Sequence, residues 1–144
     1  MKFKYIILAF MSIALFSCQQ AISQAPEAVQ KTFEQKYPGE NDPDWHLDAH
    51  GNYESHFKID GVKHRADFKP NGMWIETEIS IKKKDLPKPI LKVINEKYGD
   101  RKITEVEKVY HHSKGLFYDV EFKRKGKNMD VEFKADGSIL YVDK

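Results

Sequence analysis

The sequence contains a single cysteine, Cys18, in 144 residues. No disulfide can form within the chain, and no Cys-x-x-Cys redox pair or thiolate-rich zinc site is available. Long hydrophobic runs are missing too. The longest, Tyr5 to Phe16, has twelve residues, and twelve helical residues reach only about 18 Å of a hydrocarbon core about 30 Å thick. That excludes a membrane-spanning helix. The chain has no HExxH, no G-x-S-x-G and no phosphate-cradling glycine loop. Its later serines, Ser55, Ser80, Ser113 and Ser138, stand in no nucleophile pattern. These absences argue against the common hydrolase and nucleotide-binding classes. A non-enzymatic protein without a cofactor is expected.

The amino-terminal segment reads as an address. Lys2 and Lys4 precede the apolar run, in the manner of a secretory signal over residues 1–17. "LFSC", ending at Cys18, resembles a bacterial lipobox, which would make Cys18 the lipidated first residue of the mature chain. The rival is ordinary cleavage after Ser23, with Ala21 and Ser23 as the small residues of the site. Either cut implies export to the periplasm, and the first implies a lipid anchor in an envelope membrane. Export also changes the charge. Of 24 basic and 22 acidic residues, the signal removes Lys2 and Lys4 and leaves 22 of each. A near-neutral mature protein offers no basic face to nucleic acid.

What the chain does have is repetition. "HFKIDGVKHRADFKPNGMW" and "EFKRKGKNMDVEFKADGSI" share Phe57/Phe122, Lys58/Lys123, Gly61/Gly126, Phe68/Phe133, Lys69/Lys134 and Gly72/Gly137, all at one constant offset without a gap. A helical pattern precedes each. Val29, Phe33 and Tyr37 recur every four residues in one, and Ile90, Ile94 and Tyr98 in the other. Pro26 and Pro87 suit the first turns, Asp85 suits a cap, and Pro38-Gly39 and Gly99 end the helices. Period-two alternation follows, as in Tyr53, Ser55, Phe57 and Ile59 against Glu54, His56, Lys58 and Asp60, punctuated by Asp-Gly and Asn-Gly turns. "DWHLDA" and "ITEVEKVYHH" predict one more strand at the head of each copy.

The expected fold is therefore α+β. Two units, 25–81 and 85–144, each a helix plus about four antiparallel strands, merge into one roughly eight-stranded sheet within a single domain, 25–144. Both helices cover one face, and the charged face stays open to water. A monomer is expected.

"YESHFKIDGVKHRADFKPNGMWIETE", the helix ending "KYPG", and the "LP" before the second helix resemble the PepSY-like family of secreted bacterial proteins. Their fold is similar to that of beta-lactamase inhibitor protein. The resemblance spans residues 25–144 and implies a tandem α/β repeat in the envelope, without a catalytic motif to transfer.

The functional candidates follow from facing. With Ile75, Thr77 and Ile79 inward, Trp74 points outward. With Leu140 and Val142 inward, Ile139 and Tyr141 point outward, as does Phe117 beside Tyr118. Trp74, Phe117 and Tyr141 would then anchor an envelope protein or peptide on the open face, by analogy an inhibitor's target, with Glu76, Asp119, Glu121 and Lys123 setting specificity. The alternative is a small-ligand or metal-binding carrier or sensor. His46 and Asp48, at i and i+2 about 7 Å apart on one side of a strand, are its weak metal candidates. The "ETE" and "DVE" acidic runs read as a solvated sheet face.

Overall fold

The structure, a computed structural model, describes residues 20–22 and 24–143. The expected signal segment, Cys18 and Ser23 lie outside the described residues. The elements run β1 (Gln20–Ile22), α1 (Glu27–Lys36), β2 (Asp44–Leu47), β3 (Tyr53–Ile59), β4 (Val62–Phe68), β5 (Trp74–Ser80), α2 (Lys88–Tyr98), β6 (Ile103–His111), β7 (Gly115–Phe122), β8 (Met129–Phe133) and β9 (Ile139–Val142). A 3-10 turn, Lys83–Asp85, leads into α2.

The nine strands of the described residues form one antiparallel sheet in sequence order. The expected eight are β2 to β9. The ninth, β1, has no signal in the sequence pattern and pairs with β2 through Gln20–Leu47, Ala21–His46 and Ile22–Trp45. Hairpins link neighbouring strands everywhere except at the helices. At the second of these breaks β5 pairs directly with β6, Thr77 opposite Tyr110 and Ile79 opposite Lys108, so the sheet continues from one half into the other.

Both helices are started by backbone geometry rather than by a side-chain cap. Pro26 and Pro87 hold extended ψ angles at the N-caps, and neither helix has a side-chain cap bond. The Pro26 carbonyl accepts from the Val29 and Gln30 amides at 2.9 and 3.0 Å. Asp85 does not cap α2, contrary to expectation. It belongs to the 3-10 turn and stops short of the cap position, which Pro87 takes.

The core divides in two, one cluster under each helix. Under α1, Val29, Phe33 and Tyr37 meet Trp45, Phe57, Ala66 and Phe68. The Phe33 ring lies 5.0 Å from Tyr37, 5.4 Å from Trp45 and 5.0 Å from Phe57, at tilted or edge-on angles that aromatic quadrupoles favour. Under α2, Ile90 and Ile94 meet Val106, Val120, Phe122, Val131 and Phe133. Tyr98 stacks on Phe122 at 4.8 Å.

Every one of these sheet residues belongs to the same face. The hydrophobic effect therefore docks both helices on that face and leaves the alternate residues on the other. Each helix start also presses on a hairpin. A Cβ on Gly72, in the β4–β5 turn, would lie 2.5 Å from the Ala28 carbonyl oxygen, and one on Gly137, in the β8–β9 turn, 2.9 Å from that of Pro89.

Candidate functional site

Among the described residues no helix covers the second face of the sheet, which is built from the residues that alternate with the core. Cross-strand register shows what it carries. Glu54 is opposite Asp67, and Asp67 opposite Glu76. Across β6 to β8, Glu107 is opposite Asp119 and Asp119 opposite Glu132, while Glu105 is opposite Glu121 and Glu121 opposite Asp130. Carboxylates thus face carboxylates two deep and three strands wide. Like charges directly opposite one another weaken a sheet by up to roughly 1 kcal/mol a pair.

The cation nearest the centre is Arg65, from β4. Its guanidinium Nη2 donates to Glu78 Oε1, and its Nε lies 3.8 Å from Glu54 Oε2. Glu78 is only 7% exposed. Lys114 donates to both oxygens of Glu132 at 2.8 and 2.9 Å. Glu121 Oε1 accepts from Asn128 Nδ2 at 2.9 Å and from the Thr104 hydroxyl. Three carboxylate oxygens, Asp67 Oδ1, Glu78 Oε2 and Asp119 Oδ1, are buried without a hydrogen-bond donor. A cavity of about 210 Å³ opens among Arg65, Glu78, Glu107, Asp119, Glu121 and Asp130. A second, of about 440 Å³, adjoins it across Arg65, Glu105 and Glu107 and turns basic at Lys58 and Lys63.

Burial sets the protonation here. It pushes Asp119 up to about 7, and Asp130, Glu107 and Glu132 push the same way. It also pushes Asp67 up to about 7, against the pull of Arg65. Glu78 and Glu107 are both raised, burial again leading, with Arg65 opposing it in each. A carboxyl whose folded value exceeds its unfolded one stabilises the fold while protonated. For Asp67 and Asp119 that contribution is full below about pH 4 and is lost as the pH climbs through about 7. The folded protein is therefore expected to melt at a higher temperature at mildly acid than at mildly alkaline pH.

The expected anchors fare unequally. Tyr141 is on the helix-free face, opposite Glu132, and is 54% exposed. Trp74 is not on that face. Between Asp67 and Phe68 the register shifts, so that Asp67 pairs with Glu76 but Phe68 with Trp74. This β-bulge inserts one residue into β5 and reverses the facing of everything before it. Trp74 consequently packs on the α1 core, beneath Lys36 Nζ at 3.6 Å, and its indole donates to Thr77 Oγ1 at 3.0 Å. There it lines a groove of about 320 Å³ with Tyr37, Ile79 and Tyr110.

The same shift between Glu132 and Phe133 turns Ile139 inward onto the α2 core and leaves Leu140 41% exposed, both against expectation. Phe117 shares the register row of Val109 on the helix-free face but is only 3% exposed, with Lys114 Nζ 5.0 Å from its ring. It is packed within the face and offers no free surface. Glu76, Asp119 and Glu121 do gather on this face, and Lys123 is exposed just past the end of β7.

The expected metal pair does not form. Asp48 folds back on its own turn, accepting from the His50 and Asn52 amides at 2.7 and 2.8 Å and from Asn52 Nδ2 at 2.9 Å. His46 turns to Asp44 at 3.2 Å, and its ring lies 4.7 Å from that of His56. Among the described residues no three His, Cys, Asp or Glu side chains gather to hold a metal ion. The central carboxylates are residues that sequence reasoning reads as a solvated face. The clue to them is Arg65, set among acids at alternating positions, but only the β5–β6 and β6–β7 registers bring those acids together.

Residues 51–141 match the family described as "Putative beta-lactamase-inhibitor-like, PepSY-like". The chain belongs to that PepSY-like family. The PepSY-like sheet with its two helices is similar to a BLIP-like protein from Bacteroides fragilis, at 21% identity, with 83% of this chain and 86% of that one covered and a TM-score of 0.71. A DUF2874 family protein from Bacteroides ovatus is similar at 19% identity, over 83% and 87% of the two chains, with a TM-score of 0.74. So is a protein from Bacteroides eggerthii described as a putative periplasmic protein, at 17% identity over 83% and 88%, with a TM-score of 0.74. At these identities the likeness concerns the fold. No curated protein matches the chain. Among the described residues no helix is long and apolar enough to cross a membrane.

Proposed function

We propose that this PepSY-like protein is an exported, non-enzymatic binding protein of the bacterial envelope that holds a protein or peptide against the helix-free face of its sheet. The observation that carries the reading is the cross-strand pairing of carboxylate with carboxylate on a face that no helix covers. Such pairing costs the isolated fold stability, and a bound partner would relieve it. Tyr141, with Leu140 beside it, supplies the exposed apolar contact. Glu76, Asp119, Glu121 and Lys123 supply the polar rim. A hydrolase is the candidate target by analogy of fold alone.

Export rests on the signal-like segment ahead of Cys18, and lipid anchoring on Cys18 itself. The pairing of β1 with β2 favours the cut at Cys18, because cleavage after Ser23 would remove that strand. The expected outcome of Tyr141→Ala is at least a tenfold fall in the amount of a specific envelope partner retained by the immobilised protein. The melting temperature should stay within about 1 °C, since an exposed side chain contributes little to the fold. Unchanged retention would contradict the reading.

A further inference from the structure

The helix-free face is not uniformly acidic, and its charges are not evenly satisfied. In β3 to β5 the carboxylates share Arg65, with Lys58 and Lys63 on the adjoining lobe. In β6 to β8 cations are fewer, Arg65 from β4 lining the same cavity beside Glu107. Lys114 is committed to Glu132, and Glu121 is held by the neutral donors Asn128 and Thr104. Asp119 sits at the middle of this half, with Glu107 on one flank and Glu132 on the other. Among the described residues it forms no ion pair, and its Oδ1 is buried without a donor. Glu78, more than nine-tenths buried, has Oε2 without a donor, although Oε1 accepts from Arg65 and its carboxyl shares a hydrogen bond with Glu107. Glu78 and Asp119 both line the cavity of about 210 Å³.

An unmatched buried acceptor costs the fold stability, and costs more when it is charged. A proton satisfies Asp119 only in part at neutral pH. The geometry leaves room for a donor that brings its own positive charge.

We propose that this cavity receives an arginine or lysine side chain from a basic, extended segment of the partner protein. The inference rests on the reading of this face as the binding surface, and deepens it by naming what the partner brings. The dimensions suit it. The acidic rows from β6 to β8 cover two interstrand spacings, about 10 Å. Successive same-side residues of an extended chain are about 7 Å apart, so two basic residues at i and i+2 fall within one acidic row. A guanidinium, with its donors in one plane, matches paired carboxylates better than an ammonium does, and arginine is expected to bind more tightly than lysine. Tyr141 then lies beside the bound segment, on the β9 edge of the same face, where its ring can cover the aliphatic stem of a basic side chain.

The test uses the purified mature protein and a fluorescein-labelled Arg-Ser-Arg-Ser-Arg peptide, with Glu-Ser-Glu-Ser-Glu as its counterpart. The arginine peptide should bind saturably at low salt, weaken as salt is raised, and lose at least tenfold in affinity with Asp119→Asn or Glu107→Gln. Glu96→Gln, an exposed change on α2, should leave it unaltered. Both site variants should stay folded, because each removes a penalised charge.

Equal binding of the two peptides, or equal loss with Glu96→Gln, would overturn the inference. An envelope partner whose retention falls with Tyr141→Ala but not with Asp119→Asn would overturn it as well, and would leave the binding surface standing. A partner indifferent to both would overturn the reading of the surface itself.

Discussion

Replacing Arg65 by methionine is expected to destabilise the protein by about 2–3 kcal/mol at pH 7.5 and to lower its melting temperature by roughly 10 °C. The guanidinium is the cation shared by Glu54 and Glu78, and it pulls against the raised affinity of Asp67 for its proton. Methionine keeps much of the stem's packing but takes away the donor to Oε1 of Glu78, which is more than nine-tenths buried. Removing one partner of a buried pair usually costs about 3–5 kcal/mol. The lower figure applies because the Arg65 side chain is 38% exposed and part of its charge is already screened by water.

The pH dependence identifies the cause. Asp67 and Asp119 are protonated below about pH 7, and burial raises Glu78 and Glu107 as well. The cost of Arg65→Met should therefore shrink as the pH falls from 7.5 to 5, because acids left without a cation can take up a proton. Thermal melts at the two values check this. A loss of the same size at both would mean that Arg65 acts by packing. A loss under about 0.5 kcal/mol at both, the usual limit for a plain surface change, would mean that the acids are ordinary surface groups.

Gly72→Ala is the second large effect, about 3 kcal/mol in all, and two terms add to give it. Gly72 holds φ at +86°, where an alanine costs roughly 1–2 kcal/mol. Its new Cβ would also lie 2.5 Å from the Ala28 carbonyl oxygen, in the first turn of α1. Backbone cannot yield as a side-chain tip can, so α1 must shift off the β4–β5 hairpin. Gly137→Ala repeats the case against Pro89 at 2.9 Å and should cost somewhat less. Gly61→Ala is the control, with φ at +78° but nothing within 4 Å of its Cβ. It should cost about 1 kcal/mol. Chemical denaturation ranks the three. Equal losses would show that the helices do not press on the hairpins.

The elements and their layering are legible in the sequence because each depends on a local period. Val29, Phe33 and Tyr37 mark a helix face without reference to anything distant, and Tyr53 to Ile59 mark a strand in the same way. One helix-bearing face and one charged face then follow from alternation.

Facing near the turns is not legible. Counting residues back from the strand centres assigns Trp74 and Ile139 outward. A bulge at the start of β5 and of β9 breaks that count, and no residue in "NGMWI" or "DGSIL" announces it. The count does assign Phe117 to the correct face, but its cover by Lys114 depends on a neighbour that only the folded hairpin supplies.

The acidic cavity is the least legible feature. Each carboxylate alternates properly along its own strand, so each looks like an exposed charge when read alone. Their burial arises from strands that are distant in sequence. Glu78 and Glu107 are separated by the whole of α2, yet they enter one cavity because β5 pairs with β6. His46 and Asp48 miss each other for the opposite reason. They are close in sequence, but Asp48 is spent on the turn before β3.

All of this depends on the helix-free face being a desolvated acidic cavity rather than a wetted surface. Carbon-13 NMR of the side-chain carboxyls, followed from pH 3 to pH 9, measures that directly. Midpoints near 7 for Asp67 and Asp119 are the expected result. Midpoints near the ordinary aspartate value of about 4 for both would contradict it.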